Sequence, residues 1–261
     1  MNSKRRYPFR IGCTSYVLPD ELLPNVAYMA DKVDDIELVL FESEKWSNMP
    51  DEQTVSSMQR IADNNDITFS VHFPIDCRAG AADSAERHKF LTWVTDIVRL
   101  TENLPVSGYL LHLEGLEDEN NDAEVERWHT VTDLFCREVL ETVPVAADTI
   151  CIENLGYDPL LHRQLIDKYH FSHCVDLGHL WKYHPDWLGY FKQVIAATRI
   201  IHLHGVDGTT DHRSLEHHTQ QEQLQQLIPV LRNFNGVVTL EVFSEPDTFS
   251  SLQRFEDLWL Q

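Results

Sequence analysis

Eight short runs rich in β-branched and aromatic residues recur along the chain, separated by longer amphipathic stretches. The runs cover residues 9–17, 35–41, 67–73, 108–113, 149–154, 173–177, 200–205 and 237–243. Helical periodicity is clearest over 51–65, 84–102, 122–142, 217–233 and 246–260, with Pro229 a local interruption of the fourth. Strands alternating with helices at this spacing predict parallel βαβ units. Eight such units in 261 residues predict a single (β/α)8 TIM barrel, a fold that takes about 250 residues. A doubly wound open sheet would need a Gly-rich phosphate turn after an early strand. Neither G-x-G-x-x-G nor G-x-x-x-x-G-K-[ST] occurs, and ten glycines leave little material for one. No linker or composition break divides the chain, so one domain over 1–261 is the reading.

Charge narrows the partners. Asp and Glu number 42 against 21 Lys and Arg, a formal charge of −21. That balance argues against a nucleic-acid partner held by a basic surface and against a membrane-surface binder. It leaves a phosphate substrate open, because a bound metal reverses the local sign. The five cysteines (Cys13, Cys77, Cys136, Cys151, Cys174) are odd in number and never spaced C-x-x-C, a reduced pattern without a disulfide framework or a thiolate zinc site. The basic start lacks an apolar core and a cleavage site, and no 18-residue apolar run occurs. The expectation is a soluble, cytoplasmic protein.

The chemistry lies at the strand ends. From the third run to the eighth, each apolar strand carries one imidazole or carboxylate near its C-terminal end: His72, His112, Glu153, Asp176, His202 and Glu241. Period-two alternation turns these toward the barrel axis. Crowding them at one mouth is costly without cations, because buried like charges repel and lose solvation. His179 follows Asp176 by three residues, where a turn can bring it back over the mouth, and Asp211-His212 sits in the loop after His202. The predicted metal ligands are therefore His72, His112, Glu153, Asp176, His179, His202, Asp211, His212 and Glu241. Nine ligands exceed what one zinc takes and suit two or three divalent ions, zinc foremost with manganese or iron as alternatives. A centre so loaded activates water and stabilises a leaving oxygen, the roles needed for phosphodiester hydrolysis. Glu153 and Glu241 are the predicted catalytic carboxylates.

Beyond the strand ends, Arg78 and Arg213 are candidates to meet phosphate, Trp181 to cover a large flat ligand, and His204 to touch substrate. Trp46 and Tyr183 share that side. Glu37 either lines the mouth or faces solvent. His217 and His218 read as a solvated helix start, and Asp34-Asp35 and residues 117–122 as solvated surface.

At these residues the chain resembles the xylose isomerase-like superfamily of barrels, which includes endonuclease IV and AP endonuclease family 2, over nearly its whole length. The resemblance follows a fixed order: His72, His112, Glu153, Asp176-x-Gly-His179, His202, Asp211-His212 and Glu241. It implies that Glu153 bridges two ions, as in three-zinc members, whereas single-metal isomerases and epimerases keep mainly the positions of Glu153, Asp176, His202 and Glu241. The sequence departs at His202-Leu-His-Gly, where the repair enzymes carry His-Leu-Asn-Asp, and Asp211-His212 aligns only with a one-residue gap. Within the superfamily, residues 11–20 (IGCTSYVLPD) and 33–42 (VDDIELVLFE) are similar to the cobamide-remodelling phosphodiesterases known as CbiR. That likeness implies a small-molecule substrate, an adenosylcobamide, whose nucleotide loop is opened to give cobinamide phosphate and an α-riboside. The competing readings are an endonuclease IV-like repair enzyme, a single-metal sugar isomerase or epimerase, and a corrinoid carrier with a vestigial site.

Overall fold

A computed structural model describes residues 2–43 and 45–261. Eight strands, β1 (Arg10–Thr14), β2 (Asp35–Val39), β3 (Thr68–His72), β4 (Val106–Leu111), β5 (Ile150–Glu153), β6 (Ser172–Asp176), β7 (Thr198–Leu203) and β10 (Val237–Leu240), close a parallel barrel. β10 pairs with both β1 and β7, which seals the ring and leaves no edge. Between β7 and β10 the chain makes a hairpin of β8 (Gly205–Asp207) and β9 (Thr210–Arg213). The single (β/α)8 architecture expected from the sequence is the one observed.

The outer ring consists of α1 (Leu22–Met29), α2 (Glu52–Asn65), α3 (Ser84–Thr101), α4 (Asp122–Thr142), α5 (Leu160–Tyr169), α6 (Leu177–Tyr183), α7 (Trp187–Val194), α8 (Gln221–Leu231) and α9 (Glu245–Trp259). Side-chain oxygens start most of the longer ones. Asp51, Asp83, Asn121 and Ser244 each accept a backbone N–H from the first turn of α2, α3, α4 and α9. The fourth periodic stretch starts later than expected: residues 215–217 form a 3-10 turn, and α8 opens at Gln221 and runs through Pro229 to end two residues on. His218 is buried there, not solvated, because its ring packs 4.4 Å from Trp181 and takes the Val206 N–H.

The acidic pair at the start of β2, Asp34 just before it and Asp35 its first residue, also departs from expectation. Asp34 and Asp35 are buried. Asp34 accepts the amides of Arg5 and Ile11, and Asp35 accepts from Thr68, Ser70 and Ser107 in the lower barrel. Neutral donors from the N-terminal segment, β1, β3 and β4 satisfy these carboxylates, so they need no solvent. At the N-terminal end of the barrel a depression of about 710 Å³ is lined by Arg10, Ser107, Asp148 and Arg199. Its arginines are spent on the framework, Arg199 on the Ser107 carbonyl and Arg10 on that of Asp34.

All five cysteines are free and buried. Among the described residues no helix is long and apolar enough to cross a membrane.

His162 on α5 is fully buried, edge-on to Tyr157, with neither ring nitrogen hydrogen-bonded to protein. Burial pushes it down to about 3, so the fold accepts only the neutral ring. The unfolded chain takes up that proton near pH 6.5, which drains stability as pH falls from there toward 3. His162→Leu removes this load. The stability gap between variant and parent should widen in the variant's favour by roughly 2–4 kcal/mol between pH 7 and pH 4, read by denaturant titration at each pH.

Candidate metal centre

Strand period places one donor from each of six strands at the C-terminal mouth. His72 closes β3, Glu153 closes β5 and Asp176 closes β6; His202 lies in β7; His112 and Glu241 stand one residue past β4 and β10. All but His112 are buried, and His112 is partly so. A seventh strand joins them. Glu37 of β2 is fully buried and its Oε2 lies 2.8 Å from His202 Nε2. The sequence leaves it open between the mouth and solvent, and the contact with His202 decides for the mouth.

Each of five imidazoles donates through one nitrogen to an oxygen of the framework, leaving the other aimed inward. His72 Nδ1 donates to the Phe73 carbonyl at 2.8 Å, and His112 Nδ1 to Glu114 at 3.2 Å. His179 Nδ1 reaches the Asn154 carbonyl at 3.1 Å, and His212 Nδ1 the Glu241 carbonyl at 3.2 Å. His202 donates through Nε2 to Glu37, which frees Nδ1. Oxygen partners of this kind fix tautomer and ring orientation in metal sites.

The freed lone pairs converge. His72 Nε2 and His112 Nε2 are 3.1 Å apart, and Glu153 Oε2 lies 3.6 and 3.1 Å from them. His202 Nδ1 lies 3.4 Å from the same Glu153 oxygen and 3.2 Å from Glu241 Oε2. Glu153 Oε2, His202 Nδ1 and Glu241 Oε2 are buried without a well-formed hydrogen bond. Buried acceptors facing one another need a positive charge between them. Two donor sets therefore share Glu153: His72 and His112 with Glu153, and Asp176, His202 and Glu241 with Glu153, the ligand atoms of each set lying within 4.8 Å of one another. Nitrogen and carboxylate donors in such sets suit divalent first-row ions.

In the metal-free protein protons take that place. Burial alone would push Glu153 up, but His202 and His112 outweigh it and hold its carboxyl well below the usual range. Burial likewise opposes the charged form of His112, yet Glu153 and Glu114 lift it to about 10. Asp176 and Glu241 are held low against their burial, the first chiefly by His179 and His204, the second by His202. Cys174 lies close behind His202 and Glu153, and burial keeps its thiol protonated.

Asp176 has a second role. Its Oδ1 accepts the His179 amide at 2.8 Å and caps α6, so the carboxylate that faces the cluster also starts the helix that carries His179. The Asp-x-Gly-His stretch is thus a helical first turn. Its Gly178 lies against the fully buried His204, and a Cβ there would clash with the imidazole, 2.0 Å from its Cε1.

Not every expected residue reaches the cluster. Asp211 is not grouped with the other donors; its Oδ2 pairs with Lys182 Nζ of α6 at 2.7 Å. His204 is closed off from the mouth; its Nε2 faces Asp176 at 3.2 Å. Its Nδ1 lies 2.9 Å from the His212 amide nitrogen and 3.3 Å from the Gly205 carbonyl, and although burial opposes the charged form, Asp176 pushes the ring up to about 9. Trp181 is packed into the core against Trp187 and His218, not presented to a ligand. Arg78 is exposed but paired with Glu86 at 3.0 Å. Arg213 is exposed on β9 and makes no ion pair among the described residues. The aromatic groups open to solvent around the mouth are Trp46, Tyr183, near His179, and Phe243, 5.3 Å from His212.

Glu37 supplies a test of this arrangement. Glu37→Ala leaves a buried His202 N–H unpaired and its tautomer free, and should weaken cation binding about 10- to 100-fold in competition with a chelator. Glu37→Gln, which still offers an oxygen, should lose much less.

The chain is similar to several solved structures across almost its full length. A D-tagatose 3-epimerase-like protein matches at 16% identity and TM-score 0.76, covering 96% of this chain and 97% of its own. The D-psicose 3-epimerase of Clostridium cellulolyticum H10 matches at 12% and 0.72, covering 96% and 99%. An AP endonuclease, family 2, from Brucella melitensis matches at 14% and 0.71, covering 95% and 98%. At these identities the likeness is one of fold. No curated protein sequence matches the chain. The family assignment rests on sequence: residues 30–258, from the end of α1 to the last turn of α9, match the xylose isomerase-like TIM barrel family, and the chain belongs to it.

Proposed function

We propose that this chain is a metal-dependent phosphodiesterase that opens the nucleotide loop of adenosylcobamides, releasing cobinamide phosphate and the α-riboside of the lower base. The observation that carries the reading is the pair of donor sets sharing Glu153. The four-residue set alone would serve a single-metal epimerase, whereas adjacent ions suit in-line displacement at phosphorus. Divalent cations held there would make water nucleophilic at neutral pH and draw charge from the phosphoryl and leaving oxygens. Zinc fits the imidazole-rich set, with manganese or iron as alternatives.

The chain's own residues supply the rest. Glu153, held ionised by His202 and His112, positions both halves of the centre. Glu241 closes the second set opposite it, 3.2 Å from His202. Arg213, exposed beside His212, offers a planar fork to a phosphate arriving at the mouth. Phe243 stands between His212 and a crevice of about 570 Å³ lined by Tyr16, Leu18, Pro19 and Pro246. With Tyr183 and Trp46 it gives the mouth flat apolar faces suited to a ligand far larger than a sugar. A formal charge of −21 counts against a DNA duplex as substrate.

A second reading has one observation in its favour. Glu153, Asp176, His202 and Glu241 form a complete four-residue set by themselves. A single ion there, with Glu153 and Glu241 as paired acid and base, would serve a sugar epimerase of the kind named among the similar structures. His72 and His112 would then be idle.

Metal-loaded protein incubated with adenosylcobalamin should yield cobinamide phosphate and the α-riboside, resolved by chromatography and mass spectrometry. Glu153→Gln should lower that rate by about 100-fold or more. Intact substrate with a fully loaded centre overturns the proposal; interconversion of D-tagatose and its 3-epimer under the same conditions establishes the second reading instead.

A further inference from the structure

We infer that Lys182 replaces a third cation, so that the centre takes two metal ions and no more. The inference deepens the metal-centre reading above and rests on it. Once the two sets sharing Glu153 are filled, the donors left over are His179 and His212. His204 completes a triad of imidazoles with them, but both of its nitrogens are engaged, Nδ1 by the His212 amide and Nε2 by Asp176. Asp176, Glu153 and Glu241 also approach His179 and His212, at 3.2–3.7 Å, but already belong to the two sets, so the carboxylate outside them is Asp211, next to His212 in the chain. Its Oδ2 is 2.7 Å from Lys182 Nζ, and both side chains are more than two-thirds shielded from solvent.

Charge decides the outcome. Glu153, Asp176 and Glu241 against two dications leave the centre at about +1, before any anion binds. Glu37 and Glu114 offset that charge only from behind His202 and His112, so a third dication placed on neutral imidazoles would have no anion among its own ligands. Asp211 could supply the anion only by abandoning a short, largely buried ion pair. Lys182 thus holds a single fixed positive charge on the side of the mouth where a third ion would otherwise reside, and it does so without a ligand that can be lost. The ammonium also lies 5.1 Å from the centre of the Tyr183 ring, which helps to hold it in place.

Metal content per chain, measured by elemental analysis after saturation with zinc and removal of free ion, tests this without any substrate. Wild type should hold two ions. Lys182→Met, which frees Asp211, should hold three; Lys182→Arg, which keeps the charge, should hold two. Lys182→Met combined with Asp211→Asn should return to two, which separates loss of the ammonium from any general loosening of the fold. Three ions in wild type, or two in a folded Lys182→Met, overturn the inference and leave the hydrolase reading standing. An absence of bound metal overturns both. Failure to cleave cobamide by a protein that follows this pattern of counts overturns only the hydrolase reading.

Discussion

Everything at the mouth of this barrel depends on one buried carboxylate that faces three imidazoles. Glu153 Oε2 lies within 3.6 Å of ring nitrogens from β3, β7 and the residue after β4, and the partner on each ring's far side leaves a lone pair pointing at it. Left alone, such a convergence is unstable, since acceptors in a low-dielectric interior repel. Protons on the imidazoles relieve it in the metal-free protein and cations relieve it better, because one dication satisfies several acceptors at once. The rest of the barrel serves to hold these atoms in place against that repulsion. Parallel strands closed into a ring cannot slide relative to one another, and each donor sits where its strand ends.

The oxygen partners behind the imidazoles extend this rigidity outward. The Phe73, Asn154 and Glu241 carbonyls belong to the strand ends themselves, so ring orientation is set by the same backbone that sets position. Glu37 and Glu114 are the exceptions, side chains placed behind His202 and His112. Both add negative charge behind an imidazole, which would make the ring a better donor to a cation bound in front of it. The barrel therefore tunes the centre from β2, a strand that contributes nothing directly to the two donor sets.

Much of this was legible in the sequence because a strand's period is two and a polar residue in an apolar run is conspicuous. His72, Glu153, Asp176, His202 and Glu241 stand out for that reason, and the barrel follows from the count of runs. What escaped was set by partners distant in sequence. Glu37 is left open by the sequence between the mouth and solvent, and only the position of His202, 165 residues away, decides for the mouth. Asp211 has the spacing of a ligand, and Lys182, 29 residues earlier, takes it. The β8–β9 hairpin was hidden because Gly205 continues the apolar run of β7. Helices α1, α5, α6 and α7 span ten residues or fewer, too short for periodicity to single them out. Trp181 and His218 were read as mouth or surface, and they found each other in the core.

Asp176 couples the donor cluster to the start of a helix. α6 has seven residues, fewer than a helix needs to persist on its own, and its first turn is pinned by the carboxylate that also belongs to the cluster. Any change in the company that carboxylate keeps is transmitted to the backbone of α6, and from there to His179 and Lys182, which ride on it. Local order in this segment is then a gauge of occupancy. A stripped centre would register as faster amide exchange in one short stretch of chain, while the barrel beneath keeps its shape.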